Sequence, residues 1–220
     1  MIFETIGEYV SGAADRLRAA KIESPRREAR LLLAYATGKT VEWIVAHNGE
    51  RTEEFSQFEN ALARREAREP LSHILGEREF WSLPFQVNAS VLDPRPDSEI
   101  IVSAVLAHYP DSDRPLKIAD LGTGTGCLLL SILSEWPIAE GIGVDISESA
   151  LSTARENALR LGLSARATFV QSDWNSELDE TFDVVVSNPP YIPTSEIGGL
   201  APEVTRYEPR CAIAMAQRGS

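Results

Sequence analysis

Apolar residues in the first 72 positions fall in short stripes of helical spacing, each bounded by capping or stop residues. Ser24-Pro25 offers an N-cap followed by proline at the first helical position, and Gly38 stops the segment that carries Leu31, Leu32, Leu33, Ala34 and Tyr35. Thr40 caps a helix through Trp43, Ile44 and Val45 that ends by Gly49. Thr52 caps a further helix, with Glu53 and Glu54 in the first turn, where the helix dipole favours acids, and Phe55, Phe58, Leu62 and Ala63 as its apolar stripe. Residues 1–72 are therefore expected to form a small helical bundle.

The pattern then changes. Strand-forming residues around a turn, from Phe80 to Val87, predict a β-hairpin within a linker of residues 73–96, which Pro94-Arg95-Pro96 stiffens. Asp97 or Ser98 is expected to cap a helix carrying Ile100, Ile101, Val105 and Leu106. Beyond residue 116, strand and helix alternate. Strands are predicted at residues 116–120, 141–146, 167–170 and 182–187, and helices at 127–136 and 147–161. This alternation predicts an α/β domain over residues 97–220, a parallel sheet with helices on both faces. Val184-Val185-Val186 reads as a strand buried on both sides.

Composition narrows the class. The chain has 220 residues, 43% of them hydrophobic, with no apolar run near the ~18–20 residues that span a bilayer. The start, Met1-Ile2-Phe3-Glu4, lacks the basic flank and long apolar stretch of a secretion signal. Cys127 and Cys211 are too few for a disulfide framework, and three scattered histidines make no metal-spaced cluster. A cytoplasmic, metal-free protein is expected. The net charge of −12 is uneven: residues 1–72 carry 11 basic and 12 acidic side chains, residues 73–220 carry 10 and 21. An acidic half repels phosphate backbones and favours a basic protein partner.

The first predicted strand of the α/β region runs into Asp120-Leu121-Gly122-Thr123-Gly124-Thr125-Gly126. Three glycines let a backbone approach a ligand closely, and the helix start presents free N–H donors. A dinucleotide fingerprint would need glycine at position 127, which is Cys127. The acid-x-G-x-G-x-G pattern found instead suits a ligand with a positive end, because Asp120 sits poorly beside a pyrophosphate. Asp145, about 20 residues on, stands where a carboxylate bridges ribose hydroxyls. Ser172-Asp173-Trp174 supplies a polar group and an aromatic face for adenine. Cationic head, ribose and adenine together describe S-adenosylmethionine. The competing reading is a tight strand-to-helix turn, with Asp145 at a helix start and Trp174 as a lid on the core.

Asn188-Pro189-Pro190-Tyr191 follows the triple valine. Ligands in open parallel sheets bind beyond the carboxyl ends of strands, so this loop is expected beside the glycine loop. Two prolines stiffen it. A planar –NH2 group can donate one hydrogen to the Asn188 side-chain oxygen and the other to the Pro189 carbonyl, with Tyr191 stacked on its face. That grip directs a delocalised lone pair at an activated methyl group, so positioning supplies most of the acceleration. A structural Pro-Pro turn ending a strand is the alternative.

These features resemble the release factor glutamine methyltransferase family (HemK-type). The resemblance runs from about residue 5 to 213. It rests on the helical N-terminal region, Glu69-Pro70-Leu71, Gly76, the Val91-Leu92-Asp93-Pro94-Arg95-Pro96 stretch, the glycine loop, Asp145-Ile146-Ser147, Ser172-Asp173-Trp174, Asn188 through Pro193, and Pro202-Glu203-Val204 followed by Glu208-Pro209. It implies an S-adenosylmethionine-dependent methyltransferase with a Rossmann-like sheet. The implied reaction is methylation of the glutamine side-chain amide in the Gly-Gly-Gln loop of peptide chain release factors. Cofactor contacts then fall on Gly122, Thr123, Gly124, Thr125, Gly126, Asp145, Trp174 and Asn188. The amide grip falls on Asn188, Pro189, Pro190 and Tyr191, and residues 1–72 inherit recognition of the release factor. Two departures stand out: Asp93 replaces an apolar residue, and the family pattern continues past Ile213 to a seven-stranded sheet, where four strands are read here. In the family's strand order this leaves the fourth strand as an edge. Asn-Pro-Pro-Tyr is shared with adenine methyltransferases, so an adenine-N6 methyltransferase of nucleic acid is the alternative enzyme. A relative that binds without turnover is the alternative outside catalysis.

Overall fold

The computed structural model describes residues 5–51, 56–111, 113–174, 176 and 178–214. The chain divides into two compact units, Met1–Leu75 and Gly76–Ser220.

Among its described residues the first unit holds five helices: α1 (Ile6–Ala19), α2 (Pro25–Thr37), α3 (Val41–Ala46), α4 (Ser56–Glu66) and α5 (Leu71–Leu75). Helix α1 starts in a capping box, the Thr5 hydroxyl accepting from the Glu8 amide and the Glu8 carboxylate accepting from the Thr5 amide. Its buried positions Ile6, Tyr9, Val10, Ala13, Ala14 and Leu17 follow the 3.6-residue period and meet Leu32, Leu33, Ile44, Phe58 and Leu62 in one core. Gly38 takes φ +64° as the left-handed residue that ends α2, and the Thr40 hydroxyl caps α3 at the Trp43 amide. Ser24 precedes Pro25 at the start of α2 but makes no capping hydrogen bond. On α4 the inward residues are Phe58, Ala61, Leu62 and Arg65, and Ala63 is exposed. Arg65 is buried because Glu28 pairs with its guanidinium at 2.6 Å. The expected cap at Thr52 and the residues Glu53, Glu54 and Phe55 lie outside the described residues.

The second unit opens with an antiparallel hairpin, β1 (Glu77–Phe80) and β2 (Leu83–Gln86). Its turn residues Trp81 and Ser82 both have positive φ, +53° and +58°, the two-residue geometry that follows strand twist. For tryptophan this is a strained conformation. The Trp81 amide donates to Glu99 Oε1 at 2.9 Å and its indole to Glu135 Oε1 at 2.7 Å, which hold it. Phe80 and Phe85 sit in the same core as the sheet that follows.

Among the described residues that sheet has four parallel strands, β3 (Lys117–Leu121), β4 (Glu140–Asp145), β5 (Ala167–Gln171) and β6 (Val184–Ser187), in the order β5-β4-β3-β6. Three helices accompany it: α6 (Glu99–His108), α7 (Cys127–Glu135) and α8 (Glu148–Arg160). The expectation of helices on both faces is corrected. The connections β3-α7-β4 and β4-α8-β5 step in the same direction across the sheet, and right-handed crossovers then place both helices on one face. Register puts Ile118, Asp120, Gly141, Gly143, Ala167, Phe169, Val184 and Val186 on that face. The apolar members pack with Val102 and Val105 of α6, Leu129 and Leu133 of α7 and Leu151 and Ala154 of α8.

The return from β5 to β6, residues 172–183, contains no helix among its described residues. Val185 on the opposite face is consequently 58% exposed, so β6 is not buried on both sides as its triple valine suggested. Among the described residues, register pairs β6 only with β3, at the edge of the sheet. On α6, Val102 and Val105 face inward and Ile100 is exposed. Two short helices, α9 (Pro202–Tyr207) and α10 (Arg210–Ile213), close the described chain. Among the described residues no helix is long and apolar enough to cross a membrane.

Candidate active site at the carboxyl ends of β3, β4 and β6

Parallel strands β3 and β6 end in register, Leu121 opposite Ser187, and the Ser187 hydroxyl donates to the Leu121 carbonyl at 2.7 Å. The glycine loop and Asn188 therefore leave the sheet side by side, on strands about 4.8 Å apart. Because β3 is followed in sequence by its neighbour β4 while β6 flanks its other side, this is the point where strand order reverses. Crevices at such points are where open α/β sheets bind ligands.

Gly122, Gly124 and Gly126 all have positive φ, from +56° to +79°. A Cβ at Gly122 or Gly124 would meet nothing within 4 Å, so conformation rather than crowding demands glycine there, and space stands open above the loop. The Gly122 and Thr123 amides both donate to the Val144 carbonyl at 2.9 Å, anchoring the loop to β4. Asp145 at the end of β4 is also drawn in. Its Oδ2 accepts from the Gly124 amide and its Oδ1 from the Ser147 amide, each at 3.0 Å. Each carboxylate oxygen keeps a second lone pair for hydroxyls of a ligand.

Asp120 is fully buried beneath this loop. Thr123 Oγ1 donates to its Oδ2 at 2.7 Å, and among the described residues Oδ1 has no hydrogen-bond partner. Burial pushes its carboxyl up to about 6, against the lowering effects of the Thr123 hydroxyl and the Leu129 amide, with Asp145 adding a smaller push upward. A buried carboxylate oxygen without a partner is the group a cationic ligand compensates. The open glycine cradle, the paired lone pairs of Asp145 and the orphaned Asp120 oxygen thus fit the cationic nucleoside S-adenosylmethionine. The same burial pushes the Cys127 thiol at the start of α7 up to about 12, leaving it a neutral, unreactive group.

Two further expected residues stand at the rim. Ser172 donates its amide to the Asp145 carbonyl at 3.1 Å, bringing the end of β5 alongside. Trp174, with φ +58°, is 46% exposed. Tyr191 is 70% exposed, Pro189 is exposed and Pro190 is half-buried. Asn188 is half-buried, and its Nδ2 donates to Ser98 Oγ at 3.1 Å. Ile192, just beyond, bridges to Ala214 and donates its amide to the Ile213 carbonyl at 3.3 Å.

Sequence reasoning missed three supports of this site. Asn157 of α8 is fully buried, and its Nδ2 donates to the Thr125 and Gln86 carbonyls while its Oδ1 accepts from the Gln86 amide. It joins the glycine loop to hairpin strand β2. The signal was present: a polar residue, one turn after Thr153, on the face shared with Ala150, Leu151, Ala154 and Ala158. Arg95 donates to both oxygens of Glu208, at 2.6 and 2.8 Å, and the Glu208 side chain is 1% exposed. Ser98, expected as a helix cap, makes no capping bond and serves Asn188 instead. The last two pairs span 113 and 90 residues, beyond any local pattern.

Comparison with known proteins bears on this site. Residues 8–76 match the family described as PrmC N-terminal domain, and residues 112–217 match a methyltransferase domain family. The release factor glutamine methyltransferase of Caulobacter vibrioides is 45% identical over 212 residues, covering 95% of this chain and 73% of that protein. The protein of the same name from Rhodospirillum rubrum is 43% identical, covering 94% of this chain and 64% of its own length. Among solved structures, the hMettl16 catalytic domain in complex with MAT2A 3'UTR hairpin 6 superimposes with a TM-score of 0.52, covering 72% of this chain and 58% of that one. At 18% identity it speaks to the fold alone.

Proposed function

The chain belongs to the release factor glutamine methyltransferase family, and on that premise we propose that it methylates the side-chain amide of the glutamine in the Gly-Gly-Gln loop of peptide chain release factors. The observation that carries this reading is the in-register ending of β3 and β6, which sets Asn188 beside the glycine loop.

When bound, S-adenosylmethionine supplies a methyl group activated on a sulfonium. Gly122 to Gly126 and Asp145 hold the nucleoside, with the Trp174 ring at the adenine and Asp120 compensating the positive charge. Asn188 Oδ1 and the Pro189 carbonyl each accept one N–H of the substrate amide, with Pro190 stiffening the loop and Tyr191 covering the amide plane. That grip would fix the plane of the amide and the direction of its nitrogen lone pair. With the methyl donor bound, Asn188 Oδ1 and the Pro189 carbonyl would stabilise the charge growing on the amide nitrogen. The extra proton leaves to water, because a methylated, protonated amide is a strong acid, and no general base is required.

The helical first unit is the surface assigned to the release factor, with no direct contact to nucleic acid and no membrane role, and the reaction belongs to the cytoplasm. The net charge of −12 argues against a nucleic-acid substrate. Incubation with methyl-labelled S-adenosylmethionine and either a bacterial release factor or DNA and RNA tests the reading. Label is expected on the release factor glutamine, mapped by mass spectrometry. Label only in nucleic acid would replace it with the adenine reading, and tight cofactor binding without any transfer would replace it with a binding role.

A further inference from the structure

We propose that Ser98 is a positioning residue for Asn188, holding its carboxamide in place at the methyl-transfer site. The inference rests on the function proposed above and deepens it.

Ser98 stands just before α6, where a serine side chain ordinarily accepts from a helix amide. Its backbone is instead already helical, with φ −72° and ψ −13°, and its hydroxyl makes no capping bond. The oxygen, on a residue only 9% exposed, accepts from Asn188 Nδ2 at 3.1 Å. A primary carboxamide is nearly symmetric in shape and inverted in polarity. A half-turn exchanges an acceptor for a donor without changing the space it fills. In the orientation present, Nδ2 donates to Ser98, and Oδ1 at the opposite corner remains for a substrate N–H. The reversed amide would oppose its own N–H to that of the substrate, removing the acceptor the transfer needs.

Both partners are held by other contacts, so the hydrogen bond joins two fixed points. The Ser98 amide donates to the Arg95 carbonyl at 2.9 Å, closing a tight turn over residues 95–98. The Arg95 guanidinium is clamped on the buried Glu208 carboxylate. On the other side, Ser187 pins the end of β6 to β3 immediately before Asn188. Ser98 touches neither substrate nor cofactor in this scheme and acts through Asn188.

The test compares Ser98→Thr, Ser98→Val and Ser98→Ala in the full chain, alone and combined with Asn188→Ala. Single-turnover methylation of a release factor is the readout, with cofactor affinity by calorimetry and melting temperature alongside. Thr and Val are nearly isosteric and differ in the hydroxyl. Val and Ala are expected to slow transfer about 3- to 10-fold, the value of one neutral hydrogen bond, with cofactor affinity and release factor KM unchanged within twofold. Thr is expected to restore what Val loses, and in the Asn188→Ala background none of the three should slow transfer further. Equal rates for Thr and Val, or losses that add to those of Asn188→Ala, overturn the inference while leaving the proposed function standing. Absence of methylation by the wild-type chain overturns both. Ser98→Ala, which removes the hydroxyl without adding bulk, carries the comparison if Val fails to fold.

Discussion

Asp145 and Gly124 are joined across 21 residues by a single hydrogen bond, the Asp145 carboxylate accepting the Gly124 amide at 3.0 Å. The second Asp145 oxygen takes the Ser147 amide at the start of α8, so one side chain fixes both the glycine loop and the neighbouring helix. The geometry of the cradle thus exists before any ligand arrives, and an ordering cost on binding is avoided.

Replacing Asp145 with alanine is expected to weaken S-adenosylmethionine binding by at least tenfold, since it removes both the hydroxyl acceptor and the brace on Gly124. Isothermal titration with S-adenosylhomocysteine checks this. Asp145→Asn should fall between wild type and alanine, because its oxygen retains one acceptor while its –NH2 meets a backbone donor.

Asn188→Ala is expected to reduce the rate of transfer by about 10²-fold, the scale for loss of one preorganised polar contact at a reacting centre. Cofactor affinity should change less. Tyr191→Phe, which keeps the ring and loses only the hydroxyl, should stay within a few-fold of wild type. Single-turnover kinetics with saturating cofactor separate the two effects.

Asp120 gives the protein a distinctive pH dependence. Its carboxyl, pushed by burial from 3.8 up to about 6, binds its proton more tightly in the folded than in the unfolded chain. Between those values the folded state holds the extra proton, so this group's contribution to stability falls as pH rises from about 4 to 6 and stays lost above. Asp120→Asn is expected to melt at higher temperature than wild type at pH 7, with little difference at pH 4, and to bind the cationic cofactor more weakly. Thermal unfolding from pH 4 to 8 provides the test.

Asn157→Ala removes three hydrogen bonds from a fully buried site and leaves the Gln86 amide and the Gln86 and Thr125 carbonyls without that partner. A loss of about 2–4 kcal/mol in stability is expected, measured by urea unfolding. Cofactor affinity should drop as well, since the Thr125 carbonyl belongs to the glycine loop. Leu151→Ala in the same helix should destabilise on a comparable scale with less effect on affinity.

Val185→Lys places a charge on an exposed position of an edge strand. Stability is expected to change by less than about 0.5 kcal/mol, and aggregation on heating to decrease, because edge lysines discourage pairing between chains. Light scattering during a thermal ramp reads the effect. The same substitution at Val186, 5% exposed within the core, should unfold the second unit.

Much of this molecule follows from local rules that act within a few residues. Gly38 must take a left-handed turn, Thr40 caps the helix that follows it, and the acid-x-G-x-G-x-G loop must bend where β3 becomes α7. Periodicity alone separates the helices of residues 5–75 from the strands after 116. The sequence also determined which residues gather at the site, because parallel strands joined by helices present their carboxyl ends on one edge. It was silent where partners lie far apart along the chain. Nothing local distinguishes Ser98 as a cap from Ser98 as the acceptor for an amide 90 residues later, or pairs Arg95 with a glutamate 113 residues on. Nor does a run of three valines reveal which face will be covered. The handedness of the two crossovers decides that, by sending α7 and α8 to the same side of the sheet and leaving Val185 toward solvent. Tertiary structure decided these points because they depend on which segments become neighbours, and that is set by the packing of the whole sheet rather than by any residue's own preference.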